Sequence, residues 1–460
     1  MPDTYLRQNR QTLFLGTVKV ARDLFPEYKL KTAYSIPRGV FCKLLDSALS
    51  EREVRQIALK LHEWVSQNSP IEVLCKKKGY YEYEVGDTVV KSIYPANALT
   101  SMIGPFKIVP FSTGFIVDFG DLEGGEKAPL IFPEKLSTTY EKTQNWLDNI
   151  NMELLSDVNA YIESGQTDEL IGIAEALQEK EISDIADVIL QQRRSLRGLL
   201  ISGPSSSGKT SFAQRISTQL RVNGMRPFPL SLDNYYLNRD QVPRDCDGNC
   251  DFECLEALDL NLLQDHVSRL ICGETVQTPV FDFALGRRAD RTIPMHLGES
   301  ELLVMEGIHA LNPNLLPDID RNIFFRIYIS ALFELNVDLV NRIPTTEVRL
   351  IRRLVRDDRF RGTGAEETFK RWESVRQGEY KFIFKYQEEA DMMFNSSMIY
   401  ELNALRPFVE ASLKKMPEDS PYALTRERLL NLLSFALPMD TAKVPFNSIL
   451  REFIGGSIYF

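Results

Sequence analysis

The chain of 460 residues is poor in cysteine and histidine, has no long apolar run and shows no excess of glycine or proline. Its 6 cysteines are too few and too unevenly spaced for a disulfide framework. No apolar run approaches the ~18–20 residues that span a bilayer, and the polar first residues lack the apolar core of a signal peptide. Average glycine and proline usage excludes collagen-like and low-complexity chains. We therefore expect a soluble, cytoplasmic protein with no membrane partner.

Basic residues are also fewer than acidic ones, because the chain has 54 Lys+Arg and 64 Asp+Glu and a net charge of −10. This balance argues against a protein that coats nucleic acid or an anionic membrane, although it allows one local basic site. Hydrophobic residues make up 43% of the chain, which is enough for more than one core. The length predicts about three domains.

Three cysteines, Cys246, Cys250 and Cys254, are each separated by three residues. A metal or iron–sulfur site is one interpretation, but common zinc and cluster motifs place two residues between at least one cysteine pair. Asp, Gly and Asn lie between the first two cysteines and are typical of a surface turn. We expect reduced thiols here and no metal.

Composition divides the chain into four segments. Residues 1–135 combine β-type runs with an amphipathic helix, which predicts an α+β domain. Residues 136–197 almost lack glycine and proline and carry one-sided apolar stripes, which predicts a helical connector. Residues 198–400 alternate short apolar runs with amphipathic stretches, which predicts a doubly wound parallel α/β sheet. Residues 401–460 predict a helical extension.

Local signals place several elements within these segments. Ser50 and Glu53 form a capping box, which predicts the start of a helix. Gly165 interrupts the apolar stripes of the connector and predicts a turn. The buried strands of the parallel sheet are predicted at Leu199–Ser202, Phe228–Leu232, Leu302–Met305 and Phe324–Ile329.

The segment Gly203–Thr210, GPSSSGKT, fits the pattern G-x-x-x-x-G-K-[ST] and lies between a predicted strand and a predicted helix. In this motif the backbone N–H groups point at phosphate oxygens, the lysine reaches the β- and γ-phosphates and the hydroxyl holds Mg²⁺. A Ser/Gly-rich strand–helix turn is the alternative. We expect ATP (or another nucleoside triphosphate) and Mg²⁺ as cofactors, with a catalytic role for Lys209. The predicted nucleotide-binding residues are Gly203, Pro204, Ser205, Ser206, Ser207, Gly208, Lys209, Thr210 and Ser211.

Two acids follow predicted strands of the sheet. Glu306 ends the run Leu302–Met305, so it is expected at the ligand-binding edge and, with Thr210, in the metal site. Asp233 follows the run Phe228–Leu232, which makes it the candidate general base for phosphoryl transfer to an alcohol. A solvated strand-end glutamate and an Asp-Asn turn are the alternatives.

Arginines at 349, 353 and 356 recur at helical spacing, and Arg361-Gly362 then leads into a flexible loop. A basic helix with a hinge suits a lid that closes over phosphates and stabilises transition-state charge. Arg356 and Arg361 are therefore predicted to be catalytic. A solvated charged face or a nucleic-acid patch is the alternative.

Six motifs occur in order between Gly198 and about Tyr400: GPSSSGKT, LSLDNYY, DFECLEALDL, PVFDFALGRR, VMEGIHAL and RLIRRLVRDDRFRG. Together they resemble the uridine kinase branch of the phosphoribulokinase/uridine kinase family. The resemblance implies a P-loop kinase fold. It also implies that Arg353, Arg356 and Arg361 belong to the substrate pocket and the lid.

The same resemblance implies roles around the acceptor. Asp233 matches the aspartate that activates the nucleoside 5′-hydroxyl, and Tyr236 matches a tyrosine of the substrate pocket. Glu253 stands where the family has an aspartate that binds the ribose hydroxyls. Because glutamate is one methylene longer, the ribose contact is expected to differ.

Phe281 and Phe283 match the aromatic pair that packs on the pyrimidine. Eukaryotic-type uridine–cytidine kinases carry a tyrosine at the position of Phe281 and a base-reading histidine at that of Gly286. Loss of these hydrogen-bonding groups argues against the same readout of the base. The phosphoryl-transfer reaction is therefore predicted with more support than the preference for a particular base.

Two N-terminal motifs, Tyr34–Phe41 and Phe111–Phe115, together with the helix after Ser50, resemble the editing-type second domain of threonyl-tRNA synthetases. The histidine-rich constellation of that domain is missing, because the only histidine before residue 266 is His62, which we expect on a helix surface. The resemblance thus implies a binding, regulatory or oligomerisation domain. Lys76–Lys78 is a short basic run, and nucleic acid is not the expected partner.

The leading hypothesis is ATP- and Mg²⁺-dependent phosphorylation of a nucleoside 5′-hydroxyl, of the uridine/cytidine type, to the monophosphate. One alternative is a kinase for another small alcohol, such as a sugar phosphate or a pantothenate-like acid. The other is a nucleotide-switched regulator that binds tRNA or another RNA. The sequence leaves open the preferred base, the phosphate donor and whether the chain forms a homo-oligomer.

Overall fold

The structure is a computed structural model that describes residues 2–120, 129–245, 248–282 and 285–459. It combines a parallel five-stranded sheet with an N-terminal antiparallel α+β region and helices between them, so the predicted fold class is confirmed. Within these ranges, no helix is both long and apolar enough to cross a membrane.

The N-terminal region contains two antiparallel sheets and two long helices. One sheet has four strands in the order β1-β2-β7-β6, and the other has three in the order β3-β4-β5. The two helices approach closely, since a Cβ atom on Gly16 would lie 2.2 Å from the Trp64 ring. The elements are α1 (Pro2–Leu24), β1 (Leu30–Ile36), β2 (Gly39–Leu44), α2 (Glu51–Ser66), β3 (Glu72–Lys77), β4 (Tyr80–Val85), β5 (Thr88–Ser92), β6 (Lys107–Phe111) and β7 (Gly114–Asp118).

The predicted local signals of this region are present in the structure. The Ser50 hydroxyl accepts a hydrogen bond from the Glu53 N–H, and the Glu53 carboxylate accepts one from the Ser50 N–H. Tyr34–Phe41 spans the turn between β1 and β2, and Phe111–Phe115 spans the turn between β6 and β7. His62 is exposed on α2, as expected.

Three helices connect this region to the parallel sheet: α3 (Glu134–Asn149), α4 (Leu155–Glu163) and α5 (Thr167–Gln191). Gly165 forms the predicted turn with a φ of +76°, a conformation that glycine adopts without strain. The apolar side chains on the buried face of α5 recur at helical spacing, as the one-sided stripes predict, and include Leu170, Ala174, Ile182, Ile185, Ala186 and Ile189.

The parallel sheet has the strand order β14-β13-β8-β12-β9. Each predicted buried run coincides with one of its strands, while the four-residue β14 was not predicted because so short a run carries little pattern. The elements are β8 (Gly198–Ser202), α6 (Lys209–Val222), β9 (Arg226–Ser231), α7 (Leu260–Ile271), β10 (Thr275–Asp282), β11 (Arg287–His296), β12 (Glu301–Glu306), β13 (Phe324–Ser330), α8 (Thr345–Phe360), α9 (Ala365–Phe382), β14 (Met392–Asn395), α10 (Glu401–Leu413), α11 (Ala423–Leu433) and α12 (Arg451–Ile454).

Both faces of the parallel sheet are covered. In β8, Leu199 packs in one apolar cluster with Phe212 of α6, whereas Leu200 packs in a second cluster with Leu263 of α7. Successive residues of a strand point to opposite faces, so a strand buried on both sides needs a continuous apolar run. This is why the central strands were visible in the sequence.

The C-terminal helices share a core with the sheet. One apolar cluster contains residues of α5, the central strands, α10 and α11. The predicted boundaries at residues 136, 198 and 401 therefore do not separate independent cores, and the division into four domains stays a prediction. In α11, Leu429 and Leu433 are buried, whereas Leu424 is 66% exposed and is not part of the buried face.

Candidate active site

The predicted phosphate-binding segment Gly203–Thr210, called the phosphate loop below, joins β8 to the first turn of α6. A Cβ atom on Gly203 would lie 2.4 Å from the Ile329 carbonyl oxygen, so only glycine fits against β13. Gly208 has a φ of +82° at the start of α6. Ser206 and Ser207 are buried, and their hydroxyls have no hydrogen-bond partner among the described residues. The loop thus encloses a polar cradle at a helix N-terminus, the usual geometry of a phosphate site.

Two buried arginines of α8 hold the backbone of the phosphate loop. Arg349 donates to the Ser205 carbonyl oxygen (3.1 Å) and pairs with Glu379, which accepts from the Ser205 N–H (3.2 Å). Arg352 pairs with Glu401 (2.6 Å) and donates to the next carbonyl oxygen of the loop (3.4 Å). Helical spacing grouped Arg349 with the lid, which is wrong, because its side chain is only 1% exposed. The partner acids Glu379 and Glu401 lie 30 and 49 residues beyond Arg349 and Arg352 in the sequence, so the spacing within α8 does not reveal the two pairs.

Glu306 lies between the phosphate loop and β9, at the carboxyl edge of the sheet. Its Oε1 accepts a hydrogen bond from the Ser231 hydroxyl (2.6 Å), and its Oε2 is 3.5 Å from the Thr210 hydroxyl. The structure therefore brings together the two residues predicted for the metal site. Burial and the neighbouring Asp233 carboxylate raise the pKa of Glu306, as expected for acids placed close together.

Asp233 lies just beyond β9, in a short 3₁₀ turn over Leu232–Tyr235. Burial raises its pKa, while the positive charges of Lys209, Arg361 and Arg356 oppose that shift. Lys209 donates to the Pro204 carbonyl oxygen (3.0 Å) and is lowered in pKa by burial, against the field of Glu306 and Asp233. The carboxyl groups of Asp233 and Glu306 and the amine of Lys209 thus lie together at the carboxyl edge of the sheet. There each charge favours the ionised form of the opposite group.

The side chain of Glu452, a residue of α12, contacts the first turn of α6. Its Oε2 accepts hydrogen bonds from the Ser211 hydroxyl (2.7 Å) and from the Ser211 N–H (3.4 Å). Ser211 is one of the residues predicted to bind the nucleotide. A carboxylate at a helix N-terminus uses the same donors and the same dipole that attract a phosphate. Nothing in the sequence near Glu452 indicated this contact.

Aromatic side chains cluster beside Asp233, whose charge acts on Tyr236. The ring of Tyr236 is 5.9 Å from that of Phe281 and 6.2 Å from that of Phe252, which sequence reasoning missed. The Tyr236 hydroxyl donates to the Phe252 carbonyl oxygen (3.2 Å). The predicted partner Phe283 lies outside the described residues, as does Cys246. Cys250 and Cys254 are free thiols.

Glu253 follows Phe252 and packs against α9, where a Cβ atom on Gly378 would lie 2.3 Å from the Glu253 Cβ atom. Its Oε2 is buried without a hydrogen-bond partner among the described residues. Burial raises the pKa of Glu253 to about 7, against the opposing charge of Arg353. A carboxyl group that is buried, unpaired and beside an aromatic pocket is typical of a ligand contact.

The remaining predicted arginines share one acid. Arg353, Arg356 and Arg361 all lie within 3.9 Å of the Asp357 carboxylate. Arg353 also donates to the Ser205 hydroxyl (2.9 Å), so it reaches the phosphate loop. The charge of Arg356 and then burial lower the pKa of Arg361 to about 10. This crowding of positive charge beside the loop suits a phosphate group as counter-ion.

The part of the chain that forms this edge of the sheet is similar to known proteins. Residues 199–401 match the model of the Phosphoribulokinase / Uridine kinase family. We call this range the kinase-family domain. A uridine kinase of Bacillus pumilus is 27% identical over 194 residues, which are 42% of this chain and 83% of the relative. One of Mycoplasma genitalium is 29% identical over 210 residues, 45% of this chain and 89% of the relative. A solved structure described as a possible uridine kinase from Bacillus stearothermophilus is 19% identical, with a TM-score of 0.30, over 47% of this chain and 100% of its own.

The kinase-family domain contains the phosphate loop, Asp233, Glu306 and the arginines of α8. The C-terminal half of the chain therefore carries a P-loop kinase domain, and its family implies binding of a nucleoside triphosphate. The similarity of the N-terminal motifs to the threonyl-tRNA synthetase editing domain stays a prediction, because the family match begins at residue 199.

Proposed function

We propose that this protein transfers a phosphoryl group from ATP, with Mg²⁺, to the 5′-hydroxyl of a nucleoside of the uridine or cytidine type. The observation that carries the proposal is that Asp233 lies near both Lys209 of the phosphate loop and the aromatic side chain of Tyr236. A general base at this position lies close to the phosphates of the donor and to a flat acceptor molecule packed on the aromatic rings.

The residues at the sheet edge fit a nucleoside triphosphate and its metal. The buried hydroxyls of Ser206 and Ser207 in the phosphate loop lack hydrogen-bond partners among the described residues, so they can bind phosphate oxygens. Thr210 and Glu306 offer oxygen ligands of the kind that Mg²⁺ prefers, directly or through water. When bound, ATP supplies the phosphoryl group and Mg²⁺ supplies charge that neutralises the phosphate oxygens.

Each protein group has a task in this transfer. The Asp233 carboxylate accepts the proton of the acceptor hydroxyl while the hydroxyl oxygen bonds to the γ-phosphorus of ATP. The bond between that phosphorus and the β–γ bridging oxygen breaks, and ADP leaves. Lys209, Arg356 and Arg361 stabilise negative charge on the transferred group, and their field also favours the ionised form of Asp233. Because burial opposes that ionisation, the carboxylate depends on these cations to act as a base at neutral pH.

The acceptor pocket favours a nucleoside. Tyr236 and Phe281 provide flat apolar surfaces for a base. The Glu253 carboxylate has an oxygen that can accept hydrogen bonds from ribose hydroxyls. Arg353 joins this pocket to the phosphate loop through Ser205.

The test is a phosphorylation assay with ATP, Mg²⁺ and a panel of ribo- and deoxyribonucleosides. We expect the pyrimidine ribonucleosides to be phosphorylated. Asp233→Asn should lower turnover about 10²–10⁴-fold while ATP binding stays nearly unchanged, because only the proton acceptor is removed. Asp240→Asn, on the exposed segment that follows, is the matched control and should keep full turnover. Phosphorylation of none of the nucleosides, or full activity of Asp233→Asn, would refute the proposal.

A sugar phosphate is the second candidate acceptor, and the turn at Gly286 favours it. No base-reading side chain is present at Gly286, and a Cβ atom there would lie 3.8 Å from the Arg239 side chain. The guanidinium of Arg239, exposed beside this turn, suits an anionic acceptor. Thermal unfolding with nucleosides and with sugar phosphates distinguishes the two, because only a ligand that binds the folded state raises the melting temperature.

A further inference from the structure

A second cavity lies between the N-terminal region and the kinase-family domain, with a volume of about 420 Å³. Its walls come from α1, the β1–β2 hairpin, β13 and the N-terminal half of α8. Asp233, Tyr236, Glu253 and Phe281 are not among its lining residues, so it is separate from the acceptor pocket. Its size is in the range of small-molecule sites, which measure about 300–1,000 Å³.

The charged side chains that line this cavity are almost all basic. Among the described residues there are seven arginines and lysines and a single acid, Glu427, in a chain whose net charge is −10. Part of this positive charge is compensated from behind the wall, because Arg7 and Arg428 lie 2.8 and 3.4 Å from Glu347, and Arg349 and Arg376 pair with Glu379. The seven cations still outnumber Glu427 and these two acids, so the cavity wall stays positive, which favours an anionic ligand.

Arg342 is the central cation of this wall. It is 7% exposed, and it donates to the Ala33 carbonyl oxygen (3.1 Å) and to the hydroxyls of Ser35 (2.7 Å) and Thr345 (3.1 Å). All three acceptors are neutral, and no carboxylate of the described residues forms an ion pair with it. Burial lowers the pKa of Arg342 to about 10. A buried guanidinium without a counter-ion is costly, which an anion in the cavity would relieve.

Tyr94 supplies a second polar group at the same place. Its hydroxyl is buried and has no hydrogen-bond partner among the described residues. The charges of Glu347, Arg428, Arg7 and Arg342 all act on it, so it lies among the basic side chains of the wall. An unpaired buried hydroxyl carries a free-energy cost that a ligand oxygen would remove.

We propose that this cavity is a binding site for a small organic anion with a phosphate or carboxylate group. Arg342 and Tyr94 contact the anionic group, and Lys76 lies at the rim. The site goes beyond the proposed kinase activity and does not depend on it. The wall also includes Pro204 and Arg349, and Arg349 holds the Ser205 carbonyl oxygen, so an anion bound here adjoins the phosphate loop.

The experiment measures binding calorimetrically to the full chain carrying Lys209→Ala, which weakens binding of phosphates at the phosphate loop. The probes are nucleoside mono-, di- and triphosphates, sugar phosphates, di- and tricarboxylates and inorganic phosphate. We expect one of the organic classes to bind, and the panel distinguishes phosphate from carboxylate chemistry. If none of these probes bound, the proposal would be overturned.

Variants on that background then locate the site. Lys76→Gln should weaken the selected anion at least fivefold, whereas Lys77→Gln should have no effect, because Lys77 points to the other face of β3 and does not line the cavity. Tyr94→Phe should weaken it about threefold, and Arg342→Gln at least tenfold if it folds. Since Lys76 is exposed, its substitution tests the site without risk to folding. Unchanged affinity in both Lys76→Gln and Tyr94→Phe would overturn the proposal.

Discussion

The interior of the kinase-family domain and the edge of its candidate active site treat buried acids differently. In the interior, Glu379 pairs with Arg349 and Arg376, and although burial opposes them these cations hold its pKa below the ordinary value. At the edge, Glu253 has an unpaired oxygen and a pKa raised to about 7. Glu379 belongs to α9, and Glu253 packs against the same helix. In this pair the interior acid is compensated within the fold, whereas the edge acid has an oxygen that can accept a hydrogen bond from a ligand.

The largest expected effect tests the interior half of this comparison. Arg352→Gln should lower the free energy of unfolding by about 3–5 kcal/mol, because Glu401 then stays buried without its partner. Urea denaturation of the full chain measures the loss. Arg359→Gln, exposed in the last turn of the same helix, is the control and should cost less than about 1 kcal/mol. Similar losses in the two variants would show that the interior pair is not compensated as described.

The pH dependence of the unfolding free energy tests the comparison at Glu253, the acid at the edge of the candidate active site. Its pKa in the folded state is about 7, above the value of about 4.3 for an unfolded chain, so the folded state binds more protons between these values. Stability contributed by the neutral group is therefore present at low pH and is lost as pH rises from about 4 to 7. Glu253→Gln should remove this loss and be more stable than the parent at pH 8, by at most about 4 kcal/mol.

Unfolding free energies of the two chains between pH 5 and pH 8 measure this effect. Glu256→Gln, an exposed neighbour of Glu253, is the control and should leave the pH dependence of the parent unchanged. If Glu253→Gln followed the parent at every pH, the edge acid would be as well compensated as Glu379, and the comparison would fail.

Glu452 gives the smallest effect and sharpens the comparison at the phosphate loop. Its carboxylate takes the hydroxyl and N–H of Ser211, donors that a nucleotide phosphate also needs. Glu452→Gln should tighten ATP binding about three- to tenfold, because a negative charge no longer competes at the helix N-terminus. Calorimetric titration with ATP and Mg²⁺ measures it, with the exposed Glu418→Gln as control. Weaker binding in Glu452→Gln would mean that the carboxylate supports the loop instead.

The parts of the site that short motifs encode could be predicted. Asp233 and Glu306 follow buried strands, and parallel strands bring their carboxyl ends to one edge, so strand position alone placed both acids near Lys209. The aromatic neighbour Phe252 was missed because its contact with Tyr236 joins two loops. No periodicity or spacing reports such a contact.

The arginines of α8 show where prediction stopped. Their spacing predicted a helix correctly, but it did not separate Arg349, which is buried, from Arg361, which is partly exposed. The separation depends on Glu379 and Glu401, whose positions relative to α8 follow from the packing of α9 and α10. Helical spacing describes one helix and contains no information about its neighbours.

By itself the sequence determined the class of the fold, the phosphate loop and the positions of the two acids at the ends of their strands. Each of these depends on residues that are close together in the chain. Tertiary structure alone decided that Glu452 reaches Ser211, that Arg352 meets Glu401 and that Arg342 lines a cavity between two regions. The physical reason is the same in each case. Whether a buried charge is compensated depends on groups brought together from distant parts of the chain, and only the packed molecule defines which groups those are.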